Sequence, residues 1–296
     1  MTHQGPTGSD RTRRFYDQQG WAERDGKAVD LHMFGVREDG PIRIRLNRIH
    51  MRRVRTALQR AGAGLNLLEC GCGGSPCRGL FDLCSRYSGI DFSTSGIQMA
   101  RQGLKDMAIP CDLRKADACD LPFDDGMFDA VYSAHMIYHI PSPNAQVAAL
   151  QQMVRVVRPG GVVVLITANP FPLLFPVRLL RRLVAATPVI GALAKRLRPE
   201  PPLPYRPMPL GWIRRRLGAH GSVELTSHGL PSTAFNQKVT EFRGPGRVLW
   251  RLLQWLDLTF PRGSAYLGNY VQATLVKSGA AGPATASITV RDGTVQ

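Results

Sequence analysis

Long apolar runs are missing from this sequence. No uninterrupted stretch approaches the roughly 20 residues that a spanning helix needs. The nearest candidate, "VVVLITANPFPLLFPV", is broken by Asn169 and by Pro170, Pro172 and Pro176. The opening "MTHQGPTGSDRTRR" has no apolar core, so no secretory signal is expected. Acidic residues are scarce. Asp and Glu number 22 against 38 Lys and Arg, a formal charge of +16, and such a balance favours anionic partners: nucleic acid, an acidic membrane surface or an anionic small molecule. Cysteine is also sparse. Six in 296 residues do not make a disulfide framework, and a reducing cytosol is the expected setting. Paired CxxC units are absent: the spacing is Cys70-x-Cys72, then Cys77 and Cys84, which matches no structural zinc pattern. No internal repeat is visible.

What is present is an alternation. "LNLLEC", "YSGIDFS", "FDAVYSA" and "GGVVVLITA" read as buried strands, with helical patterns such as "AQVAALQQMVRVV" between them. This is the pattern of βαβ units around a parallel sheet. "GSVELTS" and "NYVQATLVK" add two more strands near the end. Before the first strand, Pro41 to Ala61 reads as an amphipathic helix. Its apolar face carries Ile42, Leu46, Ile49, Val54 and Leu58, and its seven arginines form a basic exposed side. Residues 1–12 and 279–296 are polar and expected to be disordered. Residues 13–278 read as one domain, interrupted at 170–210 by an apolar-basic stretch and a proline run that regular α/β alternation does not need. That insert is expected to be a helical lid.

The stretch "LNLLECGCGGSPCRG", Leu65 to Gly79, raises three possibilities. It lacks the paired ligands of a zinc site. The third glycine of a dinucleotide-binding G-x-G-x-x-G is replaced by Pro76, and the lysine of a Walker loop is absent. An acid, Glu69, stands directly before the glycine turn. Asp91 follows 22 residues later at the end of the next strand, then come "KADACDLPFDDGMFDAVYSAHMIYHI" and "MVRVVRPGGVVVLI". In order and spacing these four motifs resemble the class I S-adenosylmethionine-dependent methyltransferases, within the broad group that methylates quinones, sterols and other small molecules. The resemblance covers roughly Leu65 to Thr167 and weakens at both ends, where substrate is chosen.

The resemblance implies a doubly wound, Rossmann-like, seven-stranded α/β sheet. It is mostly parallel, with the last strand antiparallel, and carries N-terminal helices and the inserted lid. It also implies S-adenosylmethionine as cofactor, held by Glu69, Cys70, Gly71, Gly73, Asp91, Phe92, Ser93, Asp117, Ala118 and Ser133. Asp91 would take the ribose hydroxyls, and Asp117 and Ala118 would face the adenine. Gly160 and Gly161 read as a turn, Phe123 and Phe128 as core, and Asp129 as a structural carboxylate.

Methyl transfer is an in-line displacement in which the enzyme mostly supplies proximity and orientation. A hydroxyl or acidic carbon also needs a base. His139 and His135, four residues apart after the strand carrying Ser133, are the candidates. The acidic cluster that holds a divalent ion in some quinone O-methyltransferases is missing, and no metal is expected. Tyr16, Trp21 and Tyr138 are the candidate substrate contacts. The apolar and arginine-rich segments "FPVRLLRRLV" and "RVLWRLLQWLDLTFP" suit a lipid-like substrate or an interfacial helix. The expected function is therefore methylation of oxygen or acidic carbon on a small hydrophobic molecule, by a cytoplasmic protein that touches an anionic membrane peripherally. Nucleic acid is the second choice as substrate, because "SAHM" stands where base methylators carry an Asn-Pro-Pro-Tyr-like motif. A non-catalytic module of the same fold, binding anionic lipid, is the third. No feature sets an oligomeric state.

Overall fold

The computed structural model describes residues 12, 14–20, 23–24, 27–28, 41–176, 179–180, 203–242 and 244–279. All but one residue of each terminal tail and most of the 170–210 insert lie outside them, and so does Trp21.

Seven strands form one sheet: β1 (Leu65–Cys70), β2 (Cys84–Asp91), β3 (Cys111–Lys115), β4 (Phe128–Ala134), β5 (Val157–Ala168), β6 (Gly221–Ser227) and β7 (Tyr270–Lys277). Their order is β3-β2-β1-β4-β5-β7-β6. The first five are parallel, and β7 runs antiparallel to both of its neighbours, β5 and β6. The last strand in sequence is thus the reversed one, as the resemblance implied. Hydropathy alone showed six of the seven. The exception, β3, is a short edge strand whose outward residues are polar and exposed, so it carries no apolar pattern to read.

The central strands are rich in apolar residues because both faces of the sheet are covered there. Along β5, Val162, Val164 and Ile166 join one core, while Val163, Leu165 and Ala168 join the other. The first core is closed by α1 (Pro41–Leu58) and α2 (Thr94–Gly103), through Val54, Ala57, Leu58, Ile97 and Ala100. The second is closed by α3 (Pro143–Val156) and α4 (Leu210–Gly218), through Leu150, Met153, Ile213 and Leu217. Phe123 and Phe128 sit edge to face in this second core, 5.0 Å apart. Asp129 accepts from Asn66 N at 2.8 Å and from Arg158 Nε at 2.6 Å, tying the starts of β1, β4 and β5 together. It is the structural carboxylate expected.

The basic side of α1 holds one exception. Arg53 points inward. It donates to Ser227 O and to Asp257 O, both at 2.6 Å, and its Nη1 lies 3.0 Å from Asp257 Oδ2. Asp257 belongs to α6 (Pro245–Thr259), which follows α5 (Thr233–Glu241). One guanidinium therefore joins α1, the carboxyl end of β6 and α6. The Asp257 side chain is fully buried, so removing Arg53 strands a charge. Arg53→Met is expected to cost about 3 kcal/mol, read as a lowered urea midpoint with unchanged slope. A midpoint equal to wild type would show that the bridge contributes nothing.

Candidate active site

The strand order reverses between β1 and β4, and in open α/β sheets ligands bind in the crevice at such a point. A cavity of about 300 Å³ lies there. Its walls come from the carboxyl ends of β1, β2 and β4 and from the loops that follow.

The turn after β1 makes the floor. Gly71 and Gly73 take φ of +79° and +52°, in the left-handed region where L side chains are strained. Gly71 N and Cys72 N both donate to Ile90 O, at 2.8 and 3.0 Å, which clamps the turn onto β2. A Cβ on Gly71 would lie 2.7 Å from Met136 Cγ. Beneath the turn, Glu69 is buried and accepts from Cys77 N at 3.0 Å and from Tyr87 Oη at 2.7 Å. Burial raises its pKa to about 7, against the pull of those two hydrogen bonds.

Next along the wall come Asp91 and Phe92, then Asp117 and Ala118. Asp91 is buried and accepts from Gly73 N at 3.0 Å and Ser93 N at 2.9 Å. Asp117 accepts from Cys119 N at 2.9 Å. Each carboxylate oxygen has a second lone pair, so both acids can still receive donors from a ligand in the cavity. Ser93 caps α2 by accepting from Gly96 N at 3.0 Å.

The N-terminal segment covers one side. Tyr16 lines the cavity, with its ring 6.0 Å from that of Phe92. Asp17 holds the segment in place: its Oδ1 accepts from Thr94 N and Ser93 Oγ, both at 2.8 Å, at the positive end of the α2 dipole. Sequence reasoning missed Asp17. The available signal was an acid standing two residues beyond Phe15, just after Arg11, Arg13 and Arg14.

The opposite wall carries His135, Met136 and His139. His135 has φ of +59°, a rare conformation for a residue with a side chain. Its exposure is to the cavity it lines. Dense protein surrounds it otherwise, and that desolvation pushes its pKa down to about 4. Its Nδ1 lies 3.1 Å from the hydroxyl of Tyr138, which is buried behind the wall. His139 closes a single 3-10 turn, Ile137–His139, and its Nδ1 lies 2.8 Å from Pro204 O. A carbonyl has no proton to give, so Nδ1 carries the hydrogen and Nε2 keeps its lone pair. Burial lowers the pKa of His139, opposed by this hydrogen bond.

Behind His135 stand two more histidines. His50 and His228 stack at 3.9 Å, and His228 meets His135 edge to face at 5.9 Å. His50 Nε2 and His228 Nδ1 have no hydrogen-bond partner among the described residues. Burial, then the neighbouring Arg53, lowers the pKa of His50 to about 3. His228 is lowered well below its ordinary value, again by burial first.

Residues 68–165 match the methyltransferase domain family. The chain carries a class I S-adenosylmethionine-dependent methyltransferase domain. A ubiquinone biosynthesis O-methyltransferase of Xanthomonas euvesicatoria is 29% identical over 157 residues, covering 52% of this chain and 59% of that one. A phosphatidylethanolamine N-methyltransferase of Cereibacter sphaeroides is 34% identical over 116 residues, 38% of this chain and 56% of that one. The chain thus spans under two thirds of these relatives' lengths. The N-methyltransferase NodS of Bradyrhizobium japonicum, solved with S-adenosyl-L-homocysteine, shares the fold with a TM-score of 0.55 at 16% identity. That match covers 90% of this chain and 99% of that one.

The methyltransferase domain fits its cofactor, S-adenosylmethionine, on the cavity's own chemistry. The floor is a backbone cradle that a Cβ would fill, and two carboxylates face a space where hydroxyl and amino donors would sit. Among the residues named from the sequence, Gly71, Asp91, Phe92, Asp117, Ala118, Tyr16, His135 and His139 come together on the cavity wall. Glu69, Cys70, Gly73, Ser93, Ser133 and Tyr138 do not line it; of these, Gly73 N donates to Asp91 and Tyr138 Oη lies 3.1 Å from His135 Nδ1. Among the described residues no group of three or more His, Cys, Asp and Glu could hold a metal ion.

Two outcomes are expected. Gly71→Ala forces a strained φ and a contact with Met136, and should weaken S-adenosylhomocysteine binding at least about tenfold. Calorimetry on the folded variant with wild-type affinity would remove Gly71 from the cradle. The histidines supply the second. Their folded pKa values lie below the unfolded value near 6.5, so the unfolded chain binds more protons in acid. Their contribution is complete above about pH 6.5 and is lost as pH falls toward 3 to 4. For His50 the loss is about 2 kcal/mol at pH 5. Urea titrations at pH 7.5 and 5 should show it, and His50→Phe should flatten that difference. An equally steep pH dependence in the variant would exclude His50 as its source.

Proposed function

We propose that the chain transfers a methyl group from S-adenosylmethionine to an oxygen or an acidic carbon of a small, hydrophobic, lipid-like molecule. The observation that carries this reading is the state of His139: neutral, fixed as the Nδ1-H tautomer by Pro204 O, and lining the cavity with Nε2 basic. A base so prepared suits an acceptor that must lose a proton. When bound, the cofactor supplies an electrophilic methyl group on a sulfonium leaving group.

On this reading Asp91 accepts from the ribose hydroxyls, and Asp117 and Ala118 meet the adenine edge. The Gly71 turn, supported by Glu69, Cys70 and Gly73, admits the methionine end. His139 Nε2 takes the acceptor's proton, while His135, turned to the cavity and backed by Tyr138, positions the acceptor. Ile140, Pro141 and Met136 make the acceptor side apolar and exclude water. Two of the relatives have names referring to ubiquinone and to phosphatidylethanolamine, which supports a hydrophobic acceptor.

The acceptor is found by incubating the chain and labelled S-adenosylmethionine with lipid and small-molecule extracts, then seeking products heavier by one methylene unit. His139→Gln should then lower kcat by about 100- to 10,000-fold with unchanged S-adenosylhomocysteine affinity. Because the pKa of His139 is lowered, the acid limb of wild-type kcat/KM should fall below pH 6.5. Near-normal turnover in folded His139→Gln would place the base elsewhere or leave proximity as the whole mechanism.

A further inference from the structure

Helix α6, Pro245–Thr259, is amphipathic in the wrong direction for a soluble surface. Its inward face carries Gly246, Trp250, Leu253, Gln254 and Asp257. Two of these are poor core residues. Gln254 has no hydrogen-bond partner for either amide atom among the described residues, and Asp257 is buried with its charge. The outward face carries Val248, Leu249, Leu252, Trp255 and Leu258, all between 41% and 66% exposed. The spacing is i, i+1, i+4, i+7 and i+10, a continuous stripe along one side of a helix. Phe260, 55% exposed, extends it, with its ring 6.0 Å from that of Trp255.

Packing does not explain this pattern, because the helix is held by Arg53 on its polar side and by Gly246, whose place beside Val239 O admits no side chain. Burial of the stripe in place of the polar face would be favoured in water by about 25 cal/mol per Å². The sequence keeps the opposite arrangement, so the outer environment of α6 is one in which apolar groups are at home. Charge selects among such environments. The exposed charges of α6 are Arg247 and Arg251, and its acid, Asp257, is turned in against Arg53. Two copies packed stripe to stripe would offer these arginines no acid from the partner's α6, since Asp257 is turned inward on each. An anionic lipid surface meets the apolar stripe and the arginines together, as interfacial helices do.

We infer that α6 is a membrane-docking helix that lies in the interface of an anionic bilayer, with Val248, Leu252, Trp255 and Leu258 among the acyl chains and Arg247 and Arg251 at the headgroups. The Arg53 bridge ties its carboxyl end to the carboxyl end of β6. β6 runs in the same direction as β1, β2 and β4, so α6 is anchored at the end of the sheet where the cavity lies. Exposed Phe171 and Leu173 stand at that end too, where Leu173 N donates to Leu267 O at 2.8 Å. Among the described residues no helix is long and apolar enough to cross a membrane, so the contact is lateral.

The inference rests on α6 alone. S-adenosylhomocysteine calorimetry, which reads the cavity, stays separate from it. The full chain is sedimented with vesicles of phosphatidylcholine alone and of phosphatidylcholine with phosphatidylglycerol. Wild type should bind the anionic vesicles, less so as salt rises. L252S/L258S should reduce binding at least about tenfold, with unchanged melting temperature and S-adenosylhomocysteine affinity. R247Q/R251Q should lose the preference for anionic over neutral vesicles. No wild-type binding, or equal binding by L252S/L258S, would overturn the inference. So would a concentration-dependent dimer in sedimentation velocity that L252S/L258S abolishes, since the stripe would then belong to a second copy.

Discussion

The backbone path at Gly71 sets the geometry of everything around it. Two successive amides, Gly71 and Cys72, converge on one carbonyl, Ile90 O, and the next glycine amide meets the Asp91 carboxylate. These bonds fix the carboxyl ends of β1 and β2 relative to each other. They also bring the backbone so close to Met136, on the loop after β4, that a side chain at 71 has no space. Three strand ends are thereby held around one cavity without any side chain occupying its floor. Asp91 is oriented by the same turn it helps to hold, so its remaining acceptor capacity faces inward. The cavity is preorganised by main-chain bonds, which cost little to keep and do not adapt by changing rotamer.

A second principle governs the wall opposite: burial keeps imidazoles neutral. His135, His139, His50 and His228 are all shifted downward, with desolvation as the first cause in each. A neutral imidazole keeps one basic nitrogen, and among these four described histidines only His139 has its tautomer fixed by a carbonyl partner. His50 and His228 have unpartnered nitrogens and stack on each other behind the wall. Such groups are costly to bury. Their arrangement is tolerated beside a site that the rest of the sheet holds rigidly.

Much of this was legible in the sequence, and the reason is periodicity. β1, β4 and β5 are buried on both faces, so apolar residues dominate them and mark the strands directly. The glycine turn after Glu69 was legible because positive φ leaves few alternatives to glycine. β3 escaped because an edge strand with exposed polar residues looks like a loop. Asp17 escaped because its role is long-range: it caps α2, 77 residues away in the chain, and no local pattern encodes that contact. Arg53 escaped for a related reason. Six other arginines in the segment Pro41 to Ala61 suggested a solvated face, and nothing in the helix itself says that one of them meets a buried aspartate on α6. His139 was named from its distance to β4, but Pro204, the partner that defines its tautomer, lies 65 residues further on.

The shortage of acids now has a structural reading. Of 22 acidic residues, Glu69, Asp91, Asp117 and Asp17 serve the cavity and its cover, and Asp257 serves the Arg53 bridge. Of these, Glu69, Asp91 and Asp257 are buried and so are withdrawn from the surface arginines. Among the described residues, the cavity wall carries the carboxylates Asp91 and Asp117, while arginines such as Arg247 and Arg251 are exposed. The two tendencies are compatible because they act at different ranges. Inside the cavity a carboxylate accepts short hydrogen bonds from a ligand's donors, in a low-dielectric setting where geometry decides the energy. Outside, arginines act through a field screened over about 8 Å in physiological salt. A positive exterior can therefore draw the chain toward an anionic surface without disturbing a site that selects its ligand by hydrogen-bond donors. Sheet, α1 and α6 meet where Arg53 stands, and the same ion pair that buries the polar side of α6 leaves its apolar side turned outward.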